Sequence, residues 1–497
     1  MADLPAVFTI SNIAFGVLLY YFARTVHRLF LHPLSKAPGP WYLAISTIPG
    51  TYYICISGRW NLVNRELHER YGPVVRVGPH KLSVRGEIGW KAIYGHKSRD
   101  AEEWSKWPDF FPNVPKDIVT APTAEHRRLR KEIIRAFSDK AIQEQQSIFH
   151  DYAKILILQW KKRDQTVIDV AKWFNFYTFD TFGDLAFGES FGSLEGGESH
   201  PWVNLIFDSI KINKMSGFLE EFPLIKQLAI LLTPAEIKRR ATEHFELSEQ
   251  KIRQRLARGA NDRKDFISYI WKSDGTGLTQ QELERNASTL IVAGSETTAT
   301  TLSGLIDYLL KNPEKYARLT HEVRSTFKAG DDEVTLLDTA NVPYVHACIE
   351  ETLRLFPAVP VGAPRQVGAS GGSIENYYLP PQTLLEVPQW ATHRASVNFC
   401  DPDDFVPERW LPTDHPWYDP RYANDNKGVV QTFSYGPRAC VGKTLAYHEM
   451  RFITSLIFKN FDFEPTPEGA GWVERCEHYF FWHKPPLPVK LKAVALK

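Results

Sequence analysis

Residues 433–442 read FSYGPRACVG and constrain the chain more than any other segment, because they place one cysteine in a loop marked by glycines. An apolar stretch with helical character follows the loop directly. Glycine has no Cβ, so Gly436 and Gly442 let the backbone of this loop pass close to another group. A lone cysteine is usually a small buried hydrophobic residue. Here several residues of a defined pattern stand in the right order around Cys440. This favours a functional cysteine over one that is only packed in the core.

The pattern Phe-x-x-Gly-x-Arg-x-Cys-x-Gly resembles the haem-thiolate loop of the cytochrome P-450 superfamily, and the resemblance extends over almost the whole chain. It implies a mainly α fold with a smaller β region, built as a single large domain that binds haem b. It also implies that Cys440 is the iron ligand, whose thiolate pushes electron density onto the metal and favours O–O cleavage. Arg438 is suited to a haem propionate through a charge-assisted hydrogen bond. The other cofactor-binding positions of the loop are Phe433, Gly436 and Gly442.

The composition fits a large enzyme and excludes some other classes. Hydrophobic residues make up 43% of the 497 residues, enough for a sizeable core, and the net charge is +1. No basic stripe of the kind that nucleic-acid-binding proteins carry is evident, so we expect no nucleic-acid partner. The five cysteines are scattered without a CxxC pair. This spacing argues against a disulfide framework or a zinc site and indicates a reducing compartment.

The N-terminus carries a membrane signal. The segment 6–23, AVFTISNIAFGVLLYYFA, has no charged residue and is followed by basic ones. Its length is at the short end of what spans a bilayer, and basic residues after a span indicate that the rest of the chain is cytosolic. We therefore predict a membrane anchor at 1–30, a stiff Pro-rich hinge at 31–40 and a haem-thiolate catalytic domain at 41–497, held on the endoplasmic reticulum by a single pass. A cleavable signal peptide is disfavoured because no positive charge precedes the apolar run. The hinge resembles that of fungal microsomal members of the superfamily.

Local patterns predict both the helical bulk and the β region. The runs Val74–Gly78 and Lys81–Val84 alternate in polarity and indicate a hairpin with a Gly-Pro turn. Most of 125–365 shows helical periodicity. Within it, a long apolar helix begins at the capping box Thr279–Glu282 and ends before Asn312–Pro313.

Residues 293–298 of that helix read AGSETT, which predicts free space beside the helix and a local bend of its axis. An Ala-Gly pair lowers helix stability, so we expect the missing side chains to make room for another group. Thr297 lies four residues after Ala293 and can donate a hydrogen bond to its carbonyl oxygen. The family motif (Ala/Gly)-Gly-x-(Asp/Glu)-Thr-Thr implies that Glu296 and Thr297 are catalytic, lining the oxygen pocket and delivering protons. Ala293 would border the cofactor.

A basic helical segment, 126–137, supplies further candidate cofactor contacts. His126 and Arg130 lie one turn apart on its apolar face. The family has Trp-x-x-x-Arg here, with both residues on a haem propionate, so the role transfers more directly to Arg130 than to His126. Three cations occupy the opposite face: Arg128, Lys131 and Arg135. That face is either a solvated surface or a docking site for an acidic redox partner.

The resemblance also assigns structural residues. Glu351 and Arg354 would form a buried pair completed by Arg409 of the segment PERW, in which Trp410 replaces the family's Phe. Buried charges of this kind are tolerated only when paired. Arg365, which follows a Pro-rich stretch, matches the third propionate-binding arginine of the family.

The predicted function is a haem-dependent monooxygenase that inserts one atom of O2 into a lipophilic substrate, by hydroxylation or epoxidation. Electrons would come from NADPH through a cytochrome reductase, with cytochrome b5 as a further candidate donor. Residues 173–189 resemble fungal hydroxylases of trichothecenes, polyketides and related secondary metabolites. The expected pocket walls are apolar and suit a lipophilic substrate: Phe110, Phe111, Leu290, Ala293, Val361 and Phe480. Two alternatives stay open. One is a haem-thiolate isomerase or dehydratase that uses no O2, which the pair Glu296–Thr297 disfavours; the other is a non-catalytic haem-binding protein.

Overall fold

The computed structural model is mainly helical with a smaller β region, as the sequence predicts. It describes residues 10–97, 102–108, 116–200, 214–232, 235–259, 263–271, 277–328 and 334–494. The α-helices in these ranges are Ile10–Val26, Trp41–Ile45, Ile48–Cys55, Trp60–Tyr71, Gly86–Gly89, Thr123–Ile133, Asp139–Glu144, Gln146–Lys161, Val170–Phe187, Ser193–Gly196, Pro223–Leu232, Ala235–Ala257, Phe266–Ile270, Gln280–Lys311, Pro313–Thr326, Pro343–Leu355, Gln389–His393, Lys443–Asn460 and Trp472–Arg475.

The strands are short and form small sheets of two to five strands. They are β1 Val74–Gly78, β2 Lys81–Val84, β3 Ser105–Lys106, β4 Val167–Asp169, β5 Arg365–Gln366, β6 Gly372–Ile374, β7 Tyr377–Leu379, β8 Leu384–Glu386, β9 Phe461–Pro465, β10 Glu477–His478, β11 Trp482–His483 and β12 Pro488–Ala493. The largest sheet has the order β1-β2-β8-β5-β3, and a second has the order β4-β12-β9. β1 and β2 are antiparallel, with Val74 opposite Val84, so the predicted hairpin is confirmed. The pairing of β3 with β5 places Lys106 opposite Arg365.

The central helix, Gln280–Lys311, runs through the core and packs along the almost wholly buried helix Val170–Phe187. It begins at the predicted capping box, in which the Thr279 side chain accepts a hydrogen bond from the Glu282 N–H. A Cβ on Gly294 would lie 2.1 Å from the ring of Phe182. The gap that the Ala-Gly pair predicts is therefore filled, at Gly294, by an aromatic ring of the neighbouring helix.

The N-terminal segment folds against the first strand. Among the residues that the structure describes, no helix is long and apolar enough to cross a membrane, so the predicted spanning helix stays a prediction. The helix Ile10–Val26 covers part of the predicted anchor, and residues 1–9 lie outside the described ranges. In the hinge, the Pro38 carbonyl oxygen accepts a hydrogen bond of 2.7 Å from the Arg76 N–H of β1. A Cβ on Gly39 would lie 2.4 Å from the Arg76 carbonyl oxygen, so this close contact needs glycine.

Candidate active site

The cysteine loop, residues 433–442, is closed by its own backbone. The Cys440 N–H donates a hydrogen bond of 2.8 Å to the Phe433 carbonyl oxygen. Gly436 has a φ of +74°, and a Cβ there would lie 2.0 Å from the Tyr94 carbonyl oxygen. Both the backbone conformation and this contact exclude a side chain at Gly436. The loop therefore rests on the backbone of Tyr94, and the helix Lys443–Asn460 begins directly after it.

The Cys440 sulfur combines access with groups that favour its ionised form. The residue is exposed, yet protein atoms surround the sulfur closely enough for desolvation to raise the pKa of the thiol. A hydrogen bond from the Gly442 N–H and the positive charge of Arg130 act in the opposite direction. A Cβ on Gly442 would lie 4.0 Å from the sulfur, which is ordinary contact. Backbone N–H groups at a sulfur tune a metal–thiolate bond, and a nearby cation stabilises the thiolate itself.

Four basic residues gather beside the loop and form what we call the cation cluster: Lys106, Arg130, Arg365 and Arg438. Arg130 Nη1 donates to the Ala439 carbonyl oxygen at 2.6 Å, so this arginine supports the loop next to the cysteine. Arg438 Nη1 donates to the Ala121 carbonyl oxygen at 2.9 Å. The three arginines predicted from the sequence are thus brought to one place.

Lys106 belongs to the same cluster and was missed at the sequence level. Its Nζ donates to the Val119 carbonyl oxygen at 2.6 Å, and its position opposite Arg365 follows from the pairing of β3 with β5. Burial and the charges of Arg365 and Arg438 lower the pKa of Lys106 to about 7. A single lysine in a Pro-rich loop carries no local signal, so only knowledge of this strand pairing would have found it.

The cation cluster needs an anionic partner. Arg365 Nη1 is buried and has no hydrogen-bond partner among the described residues. The carboxylates that act electrostatically on the cluster are Glu103, on Arg365 and Arg438, and Asp117, on Lys106. Four cations thus face two carboxylates, and buried charge is stable only when compensated. The two propionates of a haem would supply the missing negative charge, so the residues present fit that cofactor.

His126 lies beside the cation cluster but adds no charge to it. The residue is buried one helical turn before Arg130. Burial and the charges of Arg438 and Lys106 lower the pKa of the imidazole to about 3. A neutral ring can donate one hydrogen bond, as the family's Trp does. The substitution of His for Trp therefore preserves a neutral donor at this position.

The turn from Ala293 to Thr297 is the accessible part of an otherwise buried stretch of the central helix. Ala293 is exposed, and Thr297 is half-buried. Thr297 Oγ1 donates to the Ala293 carbonyl oxygen at 2.7 Å, which is the hydrogen bond expected from the spacing. Hydroxyl bonds of this type weaken the local helix and bend it. The Thr297 oxygen keeps its lone pairs available as acceptors.

Glu296 is placed differently from its neighbour Thr297. Its side chain is fully buried and forms an ion pair with Lys484, a residue that the sequence did not single out. Thr300 Oγ1 donates to the same carboxylate oxygen, Glu296 Oε1, at 3.2 Å. Burial raises the pKa of Glu296, and the attraction of Lys484 opposes that rise. The carboxylate is therefore held toward the C-terminal segment of the chain.

The predicted structural residues meet in one buried network. Arg354 binds Glu351 with two hydrogen bonds of 2.7 and 2.8 Å, and Arg409 Nε donates to Glu351 at 3.1 Å. The indole N–H of Trp410 adds a bond of 2.8 Å that the family's Phe does not offer. Burial favours the protonated form of Glu351, but the two arginines outweigh it and hold its pKa below the ordinary value.

The outer face of the helix Thr123–Ile133 is only partly free. Arg128 forms an ion pair with Glu282 of the central helix, and Arg135 lies 3.2 Å from Glu132. Lys131 is exposed.

The residues expected to line the substrate pocket differ in burial. Leu290 and Val361 are buried, Ala293 is exposed and Phe480 is half-buried, whereas Phe110 and Phe111 lie outside the described residues.

Comparison with known proteins agrees with this geometry. The family described as Cytochrome P450 matches residues 47–492. The chain is 38% identical to cytochrome P450 monooxygenase astA of Talaromyces wortmannii, over 94% of each protein. It is 37% identical to cytochrome P450 monooxygenase aclL of Aspergillus oryzae, over 97% of the chain and 98% of that protein. It is also 38% identical to the trichothecene C-15 hydroxylase of Fusarium sporotrichioides, over 95% of the chain and 96% of that protein.

A mainly helical fold, a cysteine loop in which the Gly442 N–H and Arg130 act on the sulfur, and a cation cluster that needs an anionic partner together define a haem-thiolate protein. The chain belongs to the cytochrome P450 family. The predictions of a P450 fold, of haem b as cofactor and of a haem-dependent monooxygenase are confirmed. The isomerase and the non-catalytic haem-binding protein are not favoured.

Proposed function

We propose that this enzyme takes electrons from NADPH through a cytochrome reductase and oxidises a lipophilic secondary metabolite by hydroxylation or epoxidation. The observation that carries the proposal is the joint presence of the Cys440 sulfur, the cation cluster and the accessible turn Ala293–Thr297. Haem, when bound, supplies the activation of O2, a chemistry that side chains alone do not perform. The chain supplies the ligand, the orientation and the protons.

Each residue group has a proposed task. Cys440 ligates the iron through Sγ, and the Gly442 N–H limits the charge on that sulfur. The cation cluster orients the cofactor by binding its propionates with charge-assisted hydrogen bonds. Thr297 already donates its hydroxyl proton to Ala293, so its oxygen is free to accept a bond from a proton-donating water. This arrangement holds a proton source where oxygen chemistry requires one.

The proposed substrate class is lipophilic. Leu290 and Val361 are buried apolar residues at expected wall positions, and Ala293 offers a small apolar surface on the central helix. Mostly apolar walls with few polar groups are typical of pockets for hydrophobic small molecules. A relative covering nearly the whole chain is named Trichothecene C-15 hydroxylase, which supports a trichothecene-like secondary metabolite as the substrate.

We place the enzyme on the endoplasmic reticulum membrane, with the predicted anchor 1–30 and a second contact from the helix Pro223–Leu232. That helix exposes half or more of six apolar side chains: Leu224, Ile225, Leu228, Ile230, Leu231 and Leu232. The turn Gly217–Glu221 before it is bonded to the helix Ile48–Cys55, for example by Thr51 Oγ1 to Glu221 at 2.8 Å. Trp41, Ile48 and Tyr52 of that neighbourhood are also exposed. Such a contiguous apolar surface is typical of membrane contact.

The reductase would dock on the face of helix Thr123–Ile133 that carries Lys131. All three cations predicted there are exposed, but two of them are engaged in ion pairs, and Lys131 is the one for which the described residues show none. Exposed ion pairs are weak, and an acidic partner can compete for their cations. The positive charge available for docking the reductase is therefore smaller than the three predicted cations indicate. It increases when an acidic partner displaces Glu282 from Arg128.

The decisive experiment concerns the metal ligand. The reduced carbon monoxide complex of the full-length enzyme should show the red-shifted Soret band of thiolate-bound haem, and Cys440→Ala should abolish it. Cys400→Ala is the matched control, because Cys400 is also exposed but lies outside the loop. Retention of the band in Cys440→Ala would overturn the assignment. Product formed per NADPH, with candidate substrates chosen by substrate-induced spectral shifts, then tests the reaction itself.

A further inference from the structure

The ion pair between Lys484 and Glu296 is arranged asymmetrically. Lys484 Nζ donates to Glu296 Oε1 and also, at 2.7 Å, to Thr300 Oγ1. Thr300 in turn donates to Oε1 at 3.2 Å. Glu296 Oε2 is buried and has no hydrogen-bond partner among the described residues. One oxygen of the carboxylate is therefore fully engaged while the other is left open, although an unpaired buried acceptor normally costs free energy.

The backbone around Lys484 is fixed on both sides. The Trp482 indole N–H donates to the Pro357 carbonyl oxygen at 2.8 Å. On the other side, the Trp472 indole N–H donates to the Pro485 carbonyl oxygen at 2.7 Å. Pro485 and Pro486 stiffen the chain after the lysine. A rigid backbone segment thus holds Lys484 beside Glu296, and the only flexible element between that backbone and the ammonium group is the lysine side chain.

Lys484 is the more accessible member of the ion pair. The side chain of Lys484 is 6% exposed, whereas that of Glu296 is 0% exposed. Of the two charged groups, only the lysine has any contact with solvent. Cys476 acts electrostatically on the same lysine, but burial raises the pKa of its thiol to about 12, so it remains neutral. The described charge that compensates Glu296 is consequently that of Lys484.

We propose that Lys484 is a positioning residue for Glu296, holding Oε1 toward the C-terminal segment and leaving Oε2 open, so that the carboxyl group can pass protons to the side of Thr297. The inference rests on the proposed role of Glu296 and Thr297 in proton delivery. In the resting ion pair the carboxylate carries no proton, so delivery starts when Lys484 Nζ gives one proton to Glu296, breaking an N–H bond and forming an O–H bond. The neutral acid then passes that proton on toward Thr297 and becomes a carboxylate again, and the neutral amine of Lys484 takes up a proton from solvent. The net movement is one proton inward, and the pair returns to its starting charges.

Removal of Lys484 gives a signature independent of turnover. In Lys484→Met the buried Glu296 loses its compensating charge, and burial then favours the neutral acid. Near neutral pH the infrared spectrum of the haem-loaded variant should show one protonated-carboxyl band more than the unmodified enzyme, in which Glu449 is already protonated. That additional band should disappear in the double variant Lys484→Met with Glu296→Gln. Lys484→Arg keeps a cation and should not show that band. A Lys484→Met spectrum identical to that of the unmodified enzyme would overturn the proposal.

Coupling of NADPH oxidation to product provides the functional test. We expect product per NADPH to fall about tenfold in Lys484→Met, which is less than the roughly 10²–10⁴-fold typical of groups that transfer the proton directly, with the difference lost as peroxide. Lys490→Met is the matched control, because Lys490 forms an exposed ion pair with Glu464 on the same C-terminal segment. Adding Lys484→Met to Glu296→Gln should cause no further loss, since the lysine acts through the carboxylate. A further loss in the double variant would show a separate structural role and refute the positioning role.

The outcome also separates this inference from the proposed function. If Thr297→Ala uncouples the reaction and Lys484→Met does not, the positioning role of Lys484 is wrong while the proton-delivery site stands. If neither substitution alters coupling, the proton-delivery role itself fails. Should Lys484→Met fold poorly, Lys484→Gln retains a hydrogen-bond donor without charge and permits the same infrared and coupling measurements.

Discussion

A buried carboxyl group on the helix after the cysteine loop should make the stability of the protein depend on pH. Glu449 is fully buried, and Oε2 accepts a hydrogen bond of 3.2 Å from Thr298 Oγ1. Glu449 Oε1 has no partner in the described part of the chain. Burial raises the pKa of this carboxyl from 4.5 to about 8. Glu449 is therefore protonated in the folded protein under conditions in which the unfolded chain has already ionised it.

The sign and size of the effect follow from that difference. Because the folded form binds the proton more tightly, the free energy of unfolding falls as pH rises from 4.5 to about 8 and is constant above it. Each pKa unit corresponds to about 1.4 kcal/mol, so the full loss is roughly 5 kcal/mol. The stabilising contribution is complete below pH 4.5 and absent above about pH 8. Glu449→Gln removes the ionisable proton with little change in volume.

Denaturant unfolding of the haem-loaded protein measures this contribution. The difference in unfolding free energy between Glu449→Gln and the unmodified enzyme should shift in favour of the variant by several kcal/mol as pH rises from about 5 to about 8. Glu464→Gln is the control, because that glutamate is half exposed and its surface pair with Lys490 contributes at most about 1 kcal/mol. Parallel pH profiles for Glu449→Gln and the unmodified enzyme would refute the reasoning.

Two further predictions concern oxygen chemistry and the membrane. Thr297→Ala should lower turnover by part or all of about 10²–10⁴-fold and divert NADPH to peroxide, with an unchanged haem spectrum, because the cation cluster still holds the propionates. Thr301→Ala, one turn later and bonded to the Thr297 carbonyl oxygen, is the control that should keep its coupling; equal effects would contradict the role of Thr297. Deletion of residues 1–30 should reduce sedimentation with lipid vesicles while haem binding persists. Replacement of Leu228 and Leu231 by serine should then remove the remaining affinity, and unchanged binding of that variant would disprove the second membrane contact.

Local rules account for the parts of this structure that the sequence predicts. The capping box at Thr279 and the hydrogen bond from Thr297 to Ala293 depend only on spacing along one helix. The hairpin Val74–Val84 depends on alternation and a Gly-Pro turn. These features involve residues at most a few positions apart, so local sequence patterns are enough to predict them.

Contacts between distant residues explain what the sequence did not predict. Lys106 joins the cation cluster only because β3 pairs with β5, and Lys484 reaches Glu296 only because the C-terminal segment folds back onto the central helix. Gly294 was expected to make room for some group, but the identity of Phe182 as that group requires the packing of two helices. An isolated lysine or phenylalanine carries no local sign of such a partner.

The contact between Gly436 and the Tyr94 carbonyl oxygen has a consequence for how the protein is made. Tyr94 ends the π-helical turn Trp90–Tyr94 near the start of the catalytic domain, whereas Cys440 lies close to the end of the chain. Large domains fold as units while synthesis proceeds from the N-terminus. The site can therefore assemble only after both Tyr94 and the cysteine loop have been synthesised, which makes cofactor loading a late event in the synthesis of this domain. Premature termination before β12 leaves β4 and β9 unpaired with it and should give complete rather than graded loss of activity.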